Sequence, residues 1–346
     1  MTAASLPEEN AQVSVRYYSG DDTTITSSHF LIRKNINNQY GLSLTQIRDN
    51  TRNGSVDVQT QASVDTYSEN RDETSLGLNF LNNGTLMLMR TSYGDEPDYR
   101  SSTLHLDISQ EMFGNTSTFG FGFSRGWDVV GRTDTETEWD LDRQNLRFVF
   151  SQAMSKRWLS QLSYEHISEQ GEVLGNPYLA AVQQGALVAQ HYPQTRVQHS
   201  VSFTNRLFFH PRSVAVLNYR YFTDSWDISS HTFSLTHIKP VNPLWDVDLH
   251  YRFYRQNAAS FFFDNADQSY LYLTRDKIVS QYNQHTFGVI LSYVWGKSLS
   301  KKLDNVTLNA SFDFMRFTYD GYTNIATGEV YGFDAYSIQV YIAWPF

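Results

Sequence analysis

Large apolar side chains stand at every second position in run after run of this chain. Along Trp245, Val247, Leu249, Tyr251 and Phe253 the alternate positions are Asp246, Asp248, His250, Arg252 and Tyr254. Along Leu104, Leu106 and Ile108 they are Thr103, His105, Asp107, Ser109 and Glu111. A period of two sends successive side chains to opposite faces of an extended strand, so each run has one apolar and one polar face. Sixteen such runs are predicted as strands: 12–19, 24–34, 39–48, 71–80, 84–93, 100–112, 116–127, 139–152, 157–168, 195–209, 213–223, 227–238, 244–256, 283–294, 305–319 and 335–346. One exception, LAAVQQGALVAQ within 169–194, is a segment of good helix formers and is expected to fold as a short helix.

The connections between these runs alternate in kind. One class is mostly tight and carries turn chemistry, as in Asn82-Asn83-Gly84, Gly114-Asn115, His210-Pro211 and Pro240-Val241-Asn242-Pro243, with 295–304 the longer exception. The other class varies in length and includes three long loops, 49–70, 169–194 and 257–282. Short turns on one rim and variable loops on the other is the asymmetry of an outer-membrane barrel. Many of the runs are 10–14 residues long, which suits a tilted crossing of about 9–11 residues better than the five or six common in soluble sheets. The expected fold is therefore all-β: a transmembrane antiparallel up-and-down barrel of about 16 strands. A large soluble all-β protein would show the same alternation, but no repeat of propeller length is visible.

The last run, Tyr336, Ile338, Val340, Ile342, Trp344 and Phe346, is amphipathic and ends on an aromatic, the pattern expected of a signal read by the barrel-assembly machinery. Residues 1–11 are expected to be a flexible periplasmic leader, in a mature chain whose secretion signal was removed or never included, and 12–346 a single barrel. An even strand number would return both termini to the periplasmic side of a Gram-negative outer membrane.

Composition sharpens this picture. Tyr 22, Phe 23 and Trp 7 are many aromatics for a chain that is hydrophilic on average, and aromatic girdles at two membrane interfaces account for them. No window nears the roughly 20 apolar residues that a spanning helix needs. Cysteine is absent, which excludes thiolate chemistry, disulfides and Cys-based zinc. The net charge of −9 excludes a nucleic-acid partner, which would require clustered Lys and Arg. No cofactor is expected.

Two stretches carry a family likeness. LNYRYFTDSWDISSHTFSLTHIKPVNPLWDVDLHYRFYRQNAASFF (Leu217 to Phe262) and LSYEHISEQGEVLGNPY (Leu162 to Tyr178) resemble a domain-of-unknown-function family of proteobacterial outer-membrane barrels. The matched elements are Tyr219-Arg220-Tyr221, Asp224-Ser225-Trp226, Ser230-His231-Thr232, Tyr251-Arg252, Tyr254-Arg255-Gln256 and Asn176-Pro177-Tyr178. The likeness covers most of the second half and is looser in the first. It implies fold and compartment and carries no activity or catalytic residue with it.

If the apolar stripes face lipid, the opposite stripes line the barrel. That lining is expected to include Arg16, Arg33, His105, Asp107, Glu111, Arg147, Glu165, Arg206, Arg220, Asp246, Asp248, His250, Arg252 and Asp313. Sixteen strands enclose enough space for an aqueous channel. His105 with Asp107 and His250 with Asp248 suggest metal binding or a catalytic pair, yet neighbours at i and i+2 lie roughly 7 Å apart along a strand, long for a direct hydrogen bond. The expectation is that these residues tune selectivity or brace the wall, with no metal and no catalytic residue, and no nucleophile motif contradicts it. Asn176, Pro177 and Tyr178 open the loop expected either to constrict the lumen or to cap the barrel. Phe261-Phe262-Phe263 in the third loop must bury against the first loop, in the lumen or on a partner.

Acidic residues gather towards the variable loops: Asp21, Asp22, Asp95, Glu96, Asp134, Glu136, Glu138, Asp140 and Asp142, read first as ordinary solvated loop charge, with cation enrichment at the mouth or divalent cations bridging lipopolysaccharide as the alternatives. The leading expectation is a passive or gated channel for small hydrophilic solutes with a weak cation preference. The alternatives are a plugged barrel anchoring a periplasmic or surface protein and, more remotely, an outer-membrane hydrolase. Outer-membrane lipid, lipopolysaccharide and the assembly machinery are the expected partners.

Overall fold

The computed structural model describes residues 5–53, 67–131, 137–172, 180–209, 212–295 and 305–346. In chain order its strands are β1 (Asn10–Gly20), β2 (Thr23–Ile36), β3 (Tyr40–Asn53), β4 (Tyr67–Asn82), β5 (Thr85–Asp95), β6 (Tyr99–Met112), β7 (Ser117–Gly131), β8 (Glu138–Ser155) and β9 (Trp158–Gly171). Next come β10 (Ala180–Gln183), β11 (Ala186–Ala189), β12 (Thr195–Phe209), β13 (Ser213–Asp224), β14 (Ser229–Pro240), β15 (Trp245–Gln256), β16 (Tyr282–Val294), β17 (Thr307–Thr323) and β18 (Val330–Pro345). All except β10 and β11 join one closed sheet in which every neighbour is antiparallel and consecutive in the barrel, and β1 pairs with β18 to complete the ring. The closing register sets Val13 against Ile342 and Val15 against Val340, so the two apolar stripes continue across the seam.

Turn chemistry sets the hairpins. Asp21-Asp22 and Asn83-Gly84 each form a two-residue loop with both residues at positive φ (54° and 51°, 47° and 78°), the conformation that matches strand twist. The strands run further than their apolar alternation. β3 and β4 extend beyond the predicted 39–48 and 71–80 because polar side chains pair across them, Arg48 with Asp72 at 2.7 Å and Asn50 with Asn70 at 2.6 Å.

The helix expected in LAAVQQGALVAQ is a β-hairpin, β10 and β11, turning at Gln184-Gly185 with φ of 50° and 81°. Tertiary pairing overrides helix propensity here: Gln184 N donates to Ala266 O and Ala266 N to Val182 O, at 2.8 and 2.9 Å. The short 3-10 turn Lys277–Val279 is the helical piece among the described residues. Asn176, Pro177 and Tyr178, with Asp134 and Glu136, lie outside the described residues. Ahead of β1, Glu9 accepts from Lys34 Nζ at 3.0 Å and Asn35 N at 2.8 Å, which ties that segment to the end of β2.

Candidate functional site

The two faces of the wall are inverted relative to a soluble protein. Val13 and Val15 are 53% and 52% exposed, whereas Ser14 between them is 5% exposed. The polar face is the concave, inner one, because side chains two strands apart meet there. Asp107 of β6 accepts from Arg147 Nη2 of β8 at 2.7 Å, passing over Gly122 of β7. His250 Nε2 of β15 lies 2.6 Å from Asp313 Oδ1 of β17, passing over Gly288 of β16. A Cβ at either glycine would run into these pairs.

The predicted lining residues share this parity. Arg16 Nε donates to Ser337 Oγ at 2.9 Å, Arg252 to Gln284 at 3.0 Å, and Glu165 accepts from Asn145 at 2.8 Å with Arg220 4.0 Å away. Arg33, Glu111, Arg206, Asp246 and Asp248 occupy the same face by alternation. His105 and Asp107 hydrogen-bond directly, since their side chains lean together over the i, i+2 spacing. His250 instead takes its carboxylate from Asp313, a cross-strand partner invisible in a single run of sequence.

The third long loop, residues 257–281, forms a strap over the inner face. At one end Trp226, 2% exposed, packs with Phe261, Ala259, Val279 and Ile228. Asp224 holds this turn, its Oδ1 accepting from Trp226 N and Ile228 N at 3.0 and 2.9 Å and its Oδ2 from Arg196 at 2.7 Å. In the middle, Leu273 and His191 exchange backbone hydrogen bonds at 2.9 and 2.8 Å, joining strap to first loop. At the far end Arg275, 2% exposed, meets Asp264 at 2.7 Å, donates to Tyr322 Oη at 3.2 Å and lies 4.4 Å over that ring. Lys277 pairs with Asp21 in the β1–β2 turn, and Tyr331 donates to the same carboxylate. Gln256 of β15 closes the strap by donating to the carbonyls of Ile278 and Ser280 at 2.9 and 2.6 Å.

Phe261-Phe262-Phe263 buries as its composition demanded. Phe261 packs on Trp226, Phe262 against the Tyr322 cluster, and Phe263 stacks on Tyr270 at 4.3 Å beside Ala181 of the first loop. The strap anchors Asp264, Arg275 and Lys277, with their receiving rings, were not singled out in the sequence. The Arg275-Asp276-Lys277 run, with both signs of charge inside a long loop after an aromatic cluster, was the available signal. Burial also acts on the loops: it raises the Tyr192 hydroxyl well above its ordinary pKa, with the Asp276 charge adding, and raises the Glu172 carboxyl.

The arc facing the strap is acidic at its loop end. Arg71 is shared by Glu73 at 2.6 Å, Glu96 at 3.2 Å and Asp49 at 3.9 Å. Asp128, 2% exposed, accepts from Tyr99 Oη at 2.6 Å and pairs with Arg143, and Glu169 accepts from Gln198 at 2.8 Å. Glu69, Glu96 and Asp98 place one carboxylate oxygen each within 4.8 Å of one another, a spacing that a divalent cation fits. Burial raises the Glu96 carboxyl despite nearby Arg71.

A closed sixteen-stranded antiparallel barrel with an apolar outer stripe and a polar inner face defines the class of outer-membrane β-barrel proteins. Within that class the family profile described as "Protein of unknown function (DUF3570)" matches residues 132–312, and the chain belongs to this family. A search of the curated proteins finds no match. Among solved structures the chain is similar to a bacterial polysaccharide outer membrane secretin, with TM-score 0.55 and 8% identity over 99% of this chain and 100% of that one. It is also similar to a BenF-like porin from Pseudomonas fluorescens Pf-5, with TM-score 0.50 and 7% identity over 98% of each chain. At these identities the likeness is one of fold.

Proposed function

We propose that the protein is a passive, strap-narrowed channel of the Gram-negative outer membrane for small hydrophilic solutes, with a weak cation preference. The carrying observation is the asymmetry of the loop end: the strap docks on the arc β12–β18 and β1, and carboxylates outnumber guanidiniums on the facing arc β3–β9. Solutes then pass between a fixed strap and an acidic wall, whose field concentrates cations at the entrance. The short-turn rim and both termini lie on the periplasmic side, and lipopolysaccharide surrounds the loop end. The His105–Asp107–Arg147 and His250–Asp313 groups brace opposite walls, in a protein without catalytic function. A porin among the relatives of this fold agrees with passage. The reading in which the barrel is a plugged anchor is favoured by one observation, the buried Arg275 network that fixes the strap.

Conductance in planar lipid bilayers separates the two, for the intact chain and for a chain with residues 260–275 replaced by a short Gly-Ser link. Steps from both, larger after replacement and reversing towards the cation potential, are expected. Silence from both, with folding confirmed by heat-modifiable gel mobility, would defeat the channel.

A further inference from the structure

The outer wall carries one side-chain pairing three times over, at the loop end of the apolar stripes of β9 and β12–β16. Tyr164 Oη lies 2.9 Å from His199 Nδ1, Tyr219 Oη 2.8 Å from His231 Nδ1 and Tyr251 Oη 3.0 Å from His285 Nδ1. Each histidine sits diagonally across from its tyrosine on the next barrel strand, two residues nearer the loop end than the direct register partner. From β12 to β14 and from β14 to β16 the histidines step two residues towards the short-turn rim. That step offsets the climb of the register and keeps them at one level of a barrel with tilted strands. Arg255 stands directly opposite His231 on the same face. His231 and Arg255 are exposed, and His199 and His285 are half-buried.

Charge sets this arc apart. The outward stripes of β9 and β12–β16 hold no Asp or Glu, so Arg255 has no carboxylate beside it on its own stripe or on either neighbouring one. On the arc β3–β8 the outward arginines at the same edge are matched, Arg48 by Asp72, Arg100 by Glu138 and Arg125 by Asp142, at 2.7, 2.7 and 3.4 Å. With the tyrosine hydroxyl donating to Nδ1, each histidine keeps its proton on Nε2, a donor for an anion. We propose that this arc docks a phosphorylated lipid of the outer leaflet, the lipid A portion of lipopolysaccharide. Arg255 and the histidines hold its phosphates, a guanidinium doing so through two parallel hydrogen bonds. Its acyl chains lie on the exposed side chains directly below, Val201 and Phe203, Phe233 and Leu235, and Phe287. Donors above an apolar stripe complement an amphiphile with an anionic head, whereas a second copy placed on the same face would set donor against donor. The inference takes from the channel reading only that the loop end faces the outer leaflet, and it holds whether or not the barrel conducts.

Bis-phosphorylated lipid A is the probe, with its dephosphorylated form for comparison, titrated against the intact chain in detergent micelles and read by native mass spectrometry. The unaltered protein is expected to bind the phosphorylated form about tenfold more tightly, the increment of a charge-assisted contact. The double change His231→Phe with Arg255→Met should abolish that preference. Arg255→Lys, which keeps the charge, should retain most of it, and Arg48→Met on the matched arc should leave it whole. Heat-modifiable gel mobility checks that each variant folds. Equal affinity for the two lipids, or a preference that survives the double change, would overturn the proposal. Full displacement of the lipid by excess inorganic phosphate would overturn it in favour of the free ion. An oligomer in light scattering that the double change dissociates would overturn it in favour of a second copy. Potassium conductance is recorded separately: a silent barrel that keeps the phosphate preference would sink the channel and spare the docking face, and a conducting barrel without that preference would do the reverse.

Discussion

Arg275 is the residue on which the strap turns. Its guanidinium is 2% exposed and spends its donors on Asp264, Tyr322 and the Thr323 carbonyl. Breaking a fully buried ion pair from one side costs about 3–5 kcal/mol, and the cost here falls below that range because Asp264 is 26% exposed and keeps the Thr323 N and Oγ1 donors. Arg275→Met should therefore undock the strap while the barrel stays closed. Hydrogen exchange is the measurement: the amides of Ala259, Phe263 and Thr274, bonded across the strap, should lose protection, and those of β4 should not. Unchanged protection at Thr274 would mean that the aromatic contacts alone hold the loop. Gly288 tests the wall in the same way. Gly288→Ala sets a methyl against His250 and Asp313, and the overpacking should cost about 1–3 kcal/mol in urea unfolding of the barrel. At this scale the sequence was half legible. Alternation put His250 and Asp313 on one face, but strand-to-strand register chose which carboxylate the histidine meets, and register is not written within either run.

The elements divide by whether their pattern is local. Strands and tight turns such as Asn83-Gly84 were readable because period-two alternation and Asn-Gly turns act over a few residues. The extensions of β3 and β4 past the apolar band were not, because there the strands persist through cross-strand polar pairs such as Arg48 with Asp72. LAAVQQGALVAQ shows the limit: its Ala, Leu and Gln favour a helix, yet its backbone groups find partners on the strap, and Gly185 accepts the positive φ of a hairpin. The strap in turn stands on Trp226, from the Asp224-Ser225-Trp226 element of the family likeness. Trp226→Ala removes the ring that Phe261, Ala259 and Val279 pack against, and a cost of about 3–5 kcal/mol is expected. Limited proteolysis should then nick the chain within 257–281, while cleavage in the β13–β14 turn stays slow if Asp224 keeps its backbone bonds. Resistance equal to that of the unaltered protein would place the anchor at Arg275 instead.

At the scale of the whole molecule, closure converts the sequence pattern into a function. Sixteen stripes joined at β1 and β18 give an outer surface for lipid and an inner one for water, and only then does the placement of charge around the ring matter. The acidic arc makes pH the sharpest test of the proposed cation preference. Burial raises the carboxyls of Glu96 and Glu172 from their ordinary value. They therefore take up protons while ordinary surface carboxylates are still charged. A raised carboxyl pKa also means that the folded loops bind protons more readily than the unfolded chain. The stability these groups contribute is full below their unfolded pKa and is lost as pH rises through the folded one. Acidification from neutrality into the range where ordinary carboxylates titrate should thus tighten the loop end and weaken the proposed cation preference together. The reversal potential in a potassium chloride gradient should move from the cation side towards zero over that interval, and Glu96→Gln should begin nearer zero at neutral pH. A preference that persists unchanged into the ordinary carboxylate range would assign selectivity to the lower carboxylates, Asp246, Asp248 and Asp313, rather than to the entrance.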